Sequence, residues 1–274
     1  MNIFQSILLG IVQGLTEFIP VSSTAHLILV PWLLQWTFDE NVRFVFDVLL
    51  QLGTLAAVMV YFWKDLWGIA RAVAADTLRG RPAASPEARL GWLIVVATIP
   101  ALVIGLLFKR YVEALHHNPA LVAGILLAAA LILFGSERLG RRTRPLASLT
   151  WIDALIIGCS QALALLPGVS RSAATISGGL VRDLERPAAA RFSFLMSVPV
   201  MLAAGLVAVK DLLALPNYLA YLPPLLIGTL AAAVVGFVSI HWLLGYLARK
   251  PMDVFGWYRV AAGILCLAVF FLRG

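Results

Sequence analysis

The chain has 274 residues, of which 61% are hydrophobic and 13% charged, and it carries a formal net charge of +7. A soluble domain carries about a quarter charged residues, so this composition excludes a water-soluble enzyme and indicates a polytopic membrane protein. The positive balance is not a nucleic-acid signal, because basic residues in a membrane protein mark cytoplasmic loops.

The N-terminus has no basic leader region and no small-residue cleavage site, so it is read as part of the mature fold. Residues 3–34 are apolar but broken around Pro20, and neither half reaches the ~20 residues of a full span. The pattern predicts a re-entrant helix pair over 3–17 and 22–34. A span follows over 44–63, carrying Gln51 and Thr54. The segment 64–90, with Pro82, Pro86 and five basic residues, reads as a polar loop with some helix. Spans are predicted at 91–108, kinked at Pro100, and at 119–136. Between them, His116 and His117 lie in a turn with no metal-ligand spacing. Cys159 and Cys266, at unrelated positions in apolar stretches, indicate neither a disulfide framework nor a metal site.

The sequence then restarts. Residues 151–181 form a second broken pair around Pro167-Gly168, followed by spans at 192–209, 223–244 and 254–272. Gly10 and Gln13 match Gly158 and Gln161. Phe46 through Lys64-Asp65-Leu66 matches Phe192 through Lys210-Asp211-Leu212. Ala123-Gly-Ile-Leu126 matches Ala262-Gly-Ile-Leu265. The fold class expected is therefore an all-α polytopic membrane protein in one domain, 1–274. Repeat 1 covers about 1–137 and repeat 2 about 151–274. Each holds one re-entrant pair and three transmembrane helices, and three is odd, so the repeats have inverted topology.

Charge fixes the orientation. With the N-terminus outside, fifteen basic residues fall inside: Lys64, Arg71, Arg79, Arg81, Arg89, Arg138, Arg141, Arg142, Arg144, Arg182, Arg186, Arg191, Arg249, Lys250 and Arg259. Five fall outside: Arg43, Lys109, Arg110, Lys210 and Arg273. Fifteen against five agrees with the positive-inside rule. Arg171 sits at membrane depth. His241, and Trp63, Trp67, Trp92, Trp151 and Trp242, fall near span ends and read as interfacial.

The two polar breaks hold the candidate chemistry. The first reads Gln13-x-x-x-Glu17-Phe-Ile-Pro20-Val-Ser22-Ser23-Thr24-Ala-His26. Gln13 and Glu17 share a helix face, and Ser23 and His26, three apart on a restarted helix, bring imidazole beside hydroxyl. Ser22 and Ser23 also suit plain helix caps. An unpaired acid at Glu17 costs roughly 3 kcal/mol at membrane depth. The second break reads Pro167-Gly168-Val-Ser170-Arg171-Ser172-Ala-Ala-Thr175. Arg171 either pairs with Glu17 as a structural ion pair or forms an anion clamp. In the clamp, two helix N-termini, the guanidinium and the hydroxyls of Ser170, Ser172 and Thr175 cradle a phosphate. Glu17 with Gln13 could hold a hard divalent cation.

These motifs resemble those of the undecaprenyl-diphosphate phosphatase family of the BacA/UppP type. That family carries (E/Q)-x-x-x-E followed by P-V-S-S-T-x-H, and P-G-x-S-R-S-x-x-T. The likeness extends along the whole chain, including Phe46-Asp47 and Gln51-Leu-Gly53. The first motif position is Gln13 rather than glutamate, leaving one charge fewer for a cation. The resemblance implies hydrolysis of a C55 isoprenyl diphosphate, a divalent cation (Mg2+ or Ca2+), bacitracin resistance and a role in recycling the cell-wall lipid carrier. It further implies a multi-pass protein of the bacterial inner membrane with its site toward the periplasm. The residues then expected are Ser23 as nucleophile and His26 as proton relay, with Glu17 on the cation or a water and Arg171 on the diphosphate. Ser22, Thr24, Ser170, Ser172 and Thr175 line the phosphate, and Glu17 and Gln13 are the cation ligands. Metal-activated water, with Ser23 only a donor, is the alternative route. The partners expected are the polyprenyl diphosphate, membrane lipid and, left open, a second copy of the chain; no nucleic acid is expected. The competing functions are an isoprenyl-phosphate transporter or flippase, and a channel, which lacks any filter-like loop.

Overall fold

The computed structural model describes residues 2–38, 40–115, 118–214 and 218–273, with the side chains of 40–44 and 109–114 left aside. His116 and His117 lie outside the described residues. Twelve α-helices are present among them: α1 (Ile3–Phe18), α2 (Ser23–Leu33), α3 (Glu40–Tyr61), α4 (Trp63–Leu78), α5 (Pro86–Leu115), α6 (Pro119–Ala128), α7 (Ala130–Leu139), α8 (Trp151–Leu163), α9 (Arg171–Val181), α10 (Arg186–Ala214), α11 (Leu222–Leu247) and α12 (Asp253–Arg273). No strand is present among the described residues.

Five stretches are long and apolar enough to cross a membrane: Pro86–Phe108, Pro119–Leu139, Arg186–Ala214, Tyr218–Leu247 and Asp253–Arg273. A sixth is the pair α3–α4, bent by 78° at Phe62. The protein is thus an all-helical, multi-pass membrane protein. Its outer surface is apolar, with Leu106, Leu131, Leu206 and Phe271 all well exposed, as lipid contact allows and water does not. The polar loop expected at 64–90 is mostly helix. Its residues Trp63, Trp67 and Arg71 stack along one face of α4, with the indole centroids 5.9 Å apart and the guanidinium 4.9 Å from Trp67. Charge and proline hid this helix from a hydropathy reading.

Helices approach closely through glycine. A Cβ at Gly10 of α1 would strike the Gly228 carbonyl of α11, and one at Gly158 of α8 would strike the Ala97 carbonyl of α5. Small residues let membrane helices pack backbone to backbone where no hydrophobic effect drives them together. The pairing is reciprocal. The first helix of each half rests on the second long helix of the other half, α1 on α11 and α8 on α5, while α3 packs on α10. This carries both broken pairs to the centre of the bundle. Beneath them Phe18 meets Phe194 edge-on at 5.2 Å, both rings fully buried.

One basic residue departs from the loop reading. Arg259, counted above with the inside charges, is 0% exposed within α12. It donates to the Ala129 carbonyl at 3.0 Å and to the Gly168 carbonyl at 2.6 Å, and also to Val169. A guanidinium survives such burial when backbone oxygens replace water. The Ala129 contact falls at the α6–α7 break, where Ile132 N–H closes onto the same carbonyl three residues back, so the break has a side-chain cause. Four further arginines are paired with buried carboxylates. Asp153, fully buried, accepts from Arg144 and Arg182 at 2.7 Å each. Glu137 accepts from Arg142 at 2.9 Å, Arg186 at 2.6 Å and Met252 N–H at 2.7 Å.

Candidate functional site

Both breaks end in the same device. Ser22 has φ 77° and Ser170 has φ 72°, a region that non-glycine residues rarely occupy, at a cost of about 1–3 kcal/mol each. Each serine is the N-cap of the helix that follows, accepting from the N–H three residues on at 3.3 Å, Ala25 for α2 and Ala173 for α9. Each cap carbonyl takes the next N–H, that of His26 or Ala174. The backbone N–H groups of Ser23 and Thr24, and of Arg171 and Ser172, are left without an acceptor among the described residues. Free N–H groups at a helix start carry the positive end of the dipole and suit an anion.

One carboxylate joins the two helix starts. Glu17 Oε2 accepts from Ser23 Oγ at 2.7 Å, and Glu17 Oε1 accepts from Arg171 Nη2 at 3.0 Å. Ser23 and Arg171 are the first residues of α2 and α9, so Glu17 sits between both N-termini. Gln13 Nε2 also donates to Oε2 at 2.9 Å and reaches Thr54 Oγ1 at 3.3 Å. Arg171 is steadied by the Ser193 carbonyl of α10 at 3.3 Å. Glu17 is buried, while Ser23 and Thr24 keep partial exposure, so the acid lies deeper than the residues that open α2.

The remaining sequence candidates divide. Ser22 is buried and spent on its cap. Ser170 and Ser172 bond each other at 3.1 Å. Thr175 is fully buried, donates to the Arg171 carbonyl at 2.8 Å and pairs with Ser193 Oγ at 2.6 Å. Its hydroxyl braces α9 against α10. His26 does not bond Ser23. Its Nδ1 lies 2.7 Å from the Ser22 carbonyl oxygen and its Nε2 lies 2.7 Å from Tyr258 Oη. The cap carbonyl points along the first turn, where residue 26 stands four on, and this draws the imidazole away from the hydroxyl.

The sequence reading missed Tyr258 and Arg259. These neighbours on α12 touch the two breaks separately, Tyr258 at His26 and Arg259 at Gly168 and Val169. A tyrosine–arginine pair inside an apolar span was the available signal, since a span tolerates an arginine there only with partners.

The oxygens around Glu17 form a sparse donor set for a hard cation. Among the described residues no three His, Cys, Asp or Glu side chains cluster. Glu17 gives one carboxylate, and Gln13 Oε1, on the amide whose nitrogen meets Glu17, is a buried acceptor with no partner among the described residues. Carboxylate and amide oxygens are ligands that Mg2+ and Ca2+ prefer, and the short protein shell fits an ion completed by phosphate oxygens.

The family model described as bacitracin resistance protein BacA matches residues 6–265 of the chain. Among curated relatives, the undecaprenyl-diphosphatase of Chlorobaculum tepidum is 44% identical over 275 residues, covering 96% of this chain and 95% of its own length. The undecaprenyl-diphosphatase of Moorella thermoacetica is 44% identical over 273 residues, covering 100% of both chains. That of Desulforudis audaxviator is 43% identical over 274 residues, again covering 100% of both.

Proposed function

The chain belongs to the bacitracin resistance protein BacA family, and on that footing we propose that it is an integral membrane undecaprenyl-diphosphate phosphatase. It removes the terminal phosphate from the diphosphate lipid, returns the monophosphate to cell-wall synthesis, and confers bacitracin resistance. The observation that carries the chemistry is the single buried carboxylate held at once by a serine hydroxyl and an arginine.

The steps follow from that contact. The diphosphate engages Arg171 and the free N–H groups of Ser23, Thr24, Arg171 and Ser172, which stabilise charge on the phosphoryl oxygens. As phosphate oxygens draw on the Arg171 donors, Glu17 Oε1 is released from the guanidinium while Oε2 keeps the Ser23 hydroxyl. Ser23 Oγ attacks the terminal phosphorus, its proton passes to Glu17 Oε2, and the bond to the bridging oxygen breaks, releasing undecaprenyl monophosphate. Water then opens the phosphoserine, with His26 as proton acceptor. A divalent cation held by Glu17 and Gln13 would supply further neutralisation of the diphosphate. Ser22, Ser170, Ser172 and Thr175 serve as caps and braces that hold the cradle's shape, and Thr24 stands at its open side.

We further infer an inverted-topology repeat in a bacterial inner membrane, with the site open to the periplasm. The charge asymmetry and the reciprocal packing of α1 on α11 and α8 on α5 support this.

Ser23→Ala tests the reaction in detergent micelles, where a transporter releases no phosphate. The variant is expected to lose at least a hundredfold in kcat, on the order of what removing a nucleophile costs. Retention of a tenth of wild-type turnover would reject Ser23 as nucleophile in favour of direct attack by water.

A further inference from the structure

Tyr258 lies in α12, far from either motif in sequence, yet its Oη is 2.7 Å from His26 Nε2. The rings stack with centroids 5.6 Å apart and planes 15° from parallel. The other imidazole nitrogen faces the Ser22 carbonyl at 2.7 Å. A carbonyl oxygen only accepts, so Nδ1 carries the hydrogen. In the neutral ring Nε2 is then an acceptor, and the Tyr258 hydroxyl donates to it. When the ring is charged, Nε2–H donates to Oη instead, and the phenol hydrogen turns outward. The hydroxyl thus stands between His26's exchanging nitrogen and its surroundings, and Tyr258 is 46% exposed where His26 is only partly so.

We propose that Tyr258 is a further catalytic residue, the hydroxyl through which His26 receives the proton of the hydrolytic water. The inference rests on the two-step reading above. As water attacks the phosphorus of phosphoserine 23, its proton moves to Tyr258 Oη while the phenol's own proton moves to His26 Nε2. The phosphorus–Oγ bond breaks, and Ser23 Oγ takes back the proton that Glu17 holds. The phenol is neutral before and after, the imidazole becomes imidazolium, and Glu17 returns to its carboxylate. His26 later returns its proton to solvent through the same hydroxyl.

Tyr258→Phe removes the hydroxyl and keeps the ring, so the stack and the fold are retained. The expected result is a fall in kcat of about ten- to hundredfold, in the range of lost proton-transfer assistance, with KM and the thermal midpoint near wild type. Because only the second step slows, the variant releases a burst of undecaprenyl monophosphate equal to the enzyme present, followed by slow phosphate release. A phosphoenzyme accumulates on Ser23. The 15N spectrum of His26, one of four histidines, keeps its Nδ1–H form and shows Nε2 shifted toward a free acceptor. Tyr258→Leu loses the stack as well and should lower the thermal midpoint, separating packing from chemistry. Wild-type kcat in Tyr258→Phe overturns the inference whatever Ser23→Ala does. So does a slowed variant with neither burst nor phosphoenzyme while Ser23→Ala is inactive. An active Ser23→Ala rejects the covalent reading instead, and Tyr258 is then judged on kcat and the 15N shift.

Discussion

Glu17 and Arg171 stand 154 positions apart in the chain and meet at 3.0 Å, with side chains 6% and 14% exposed. Breaking one partner of a buried pair leaves the other charge stranded, at about 3–5 kcal/mol. Arg171→Ala should therefore lose both turnover and thermal stability. Combining it with Glu17→Gln removes the stranded charge and should recover most of the stability, measured by thermal unfolding in detergent, while turnover stays absent. Stability that does not recover in the double variant would mean the pair is not coupled.

Cation dependence should follow Gln13. Dialysis against a chelator is expected to stop phosphate release, and Mg2+ or Ca2+ to restore it. Gln13→Glu adds a second carboxylate beside Glu17 and should lower the half-activating cation concentration about tenfold, since ligand charge tunes affinity. An unchanged activation curve would remove Gln13 from the ligand set.

Helix contact at glycine predicts a sharp contrast. Gly10→Ala places a methyl on the Gly228 carbonyl and should cost about 1–3 kcal/mol through forced separation of α1 and α11. Because α1 carries Glu17, kcat should fall with stability. Gly68→Ala on α4 meets nothing within 4 Å and should be neutral or stabilising by up to ~1 kcal/mol. Expression level and thermal midpoint check both.

Asp153 predicts a pH dependence. Burial opposes its charge, but hydrogen bonds from Arg144, Arg182 and Thr150 outweigh that and hold the carboxyl well below the usual range. A depressed folded-state value means stability is fully present above the unfolded carboxylate value of about 3.9 and fades as pH falls below it. Asp153→Asn should cost about 2–3 kcal/mol, less than a fully buried pair because both arginines reach solvent. The gap to wild type should hold from pH 5 to 8 and close only below about pH 4. A gap that closes near neutrality would assign the effect to another group.

The two proline breaks were legible because polarity inside an apolar run has no bland explanation. Gln13, Glu17, Ser23 and Arg171 do converge. The helix periodicity that brought Gln13 beside Glu17 misplaced His26, because Ser22 enters α2 at positive φ and its carbonyl captures the imidazole. Thr175 looked like a ligand by its place in the motif, but the hydroxyl it meets, Ser193, lies on a helix that no local spacing could align with it. Arg259 was taken for a loop charge because its acceptors are backbone carbonyls 90 and 91 residues away, and carbonyls leave no trace in composition. Asp153 and Glu137 were hidden for a related reason, as their arginines lie in the α7–α8 connection and around the α9–α10 turn.

Tyr258 and Arg259 sit side by side on α12 and hold one break each. Of the described helices α12 is the last to leave the ribosome. Until it enters the bilayer, the His26 ring has no phenol to stack on and the Gly168 turn has no guanidinium to close it. A chain that has already inserted every other described helix therefore still lacks both contacts, and a single late insertion closes the two breaks together.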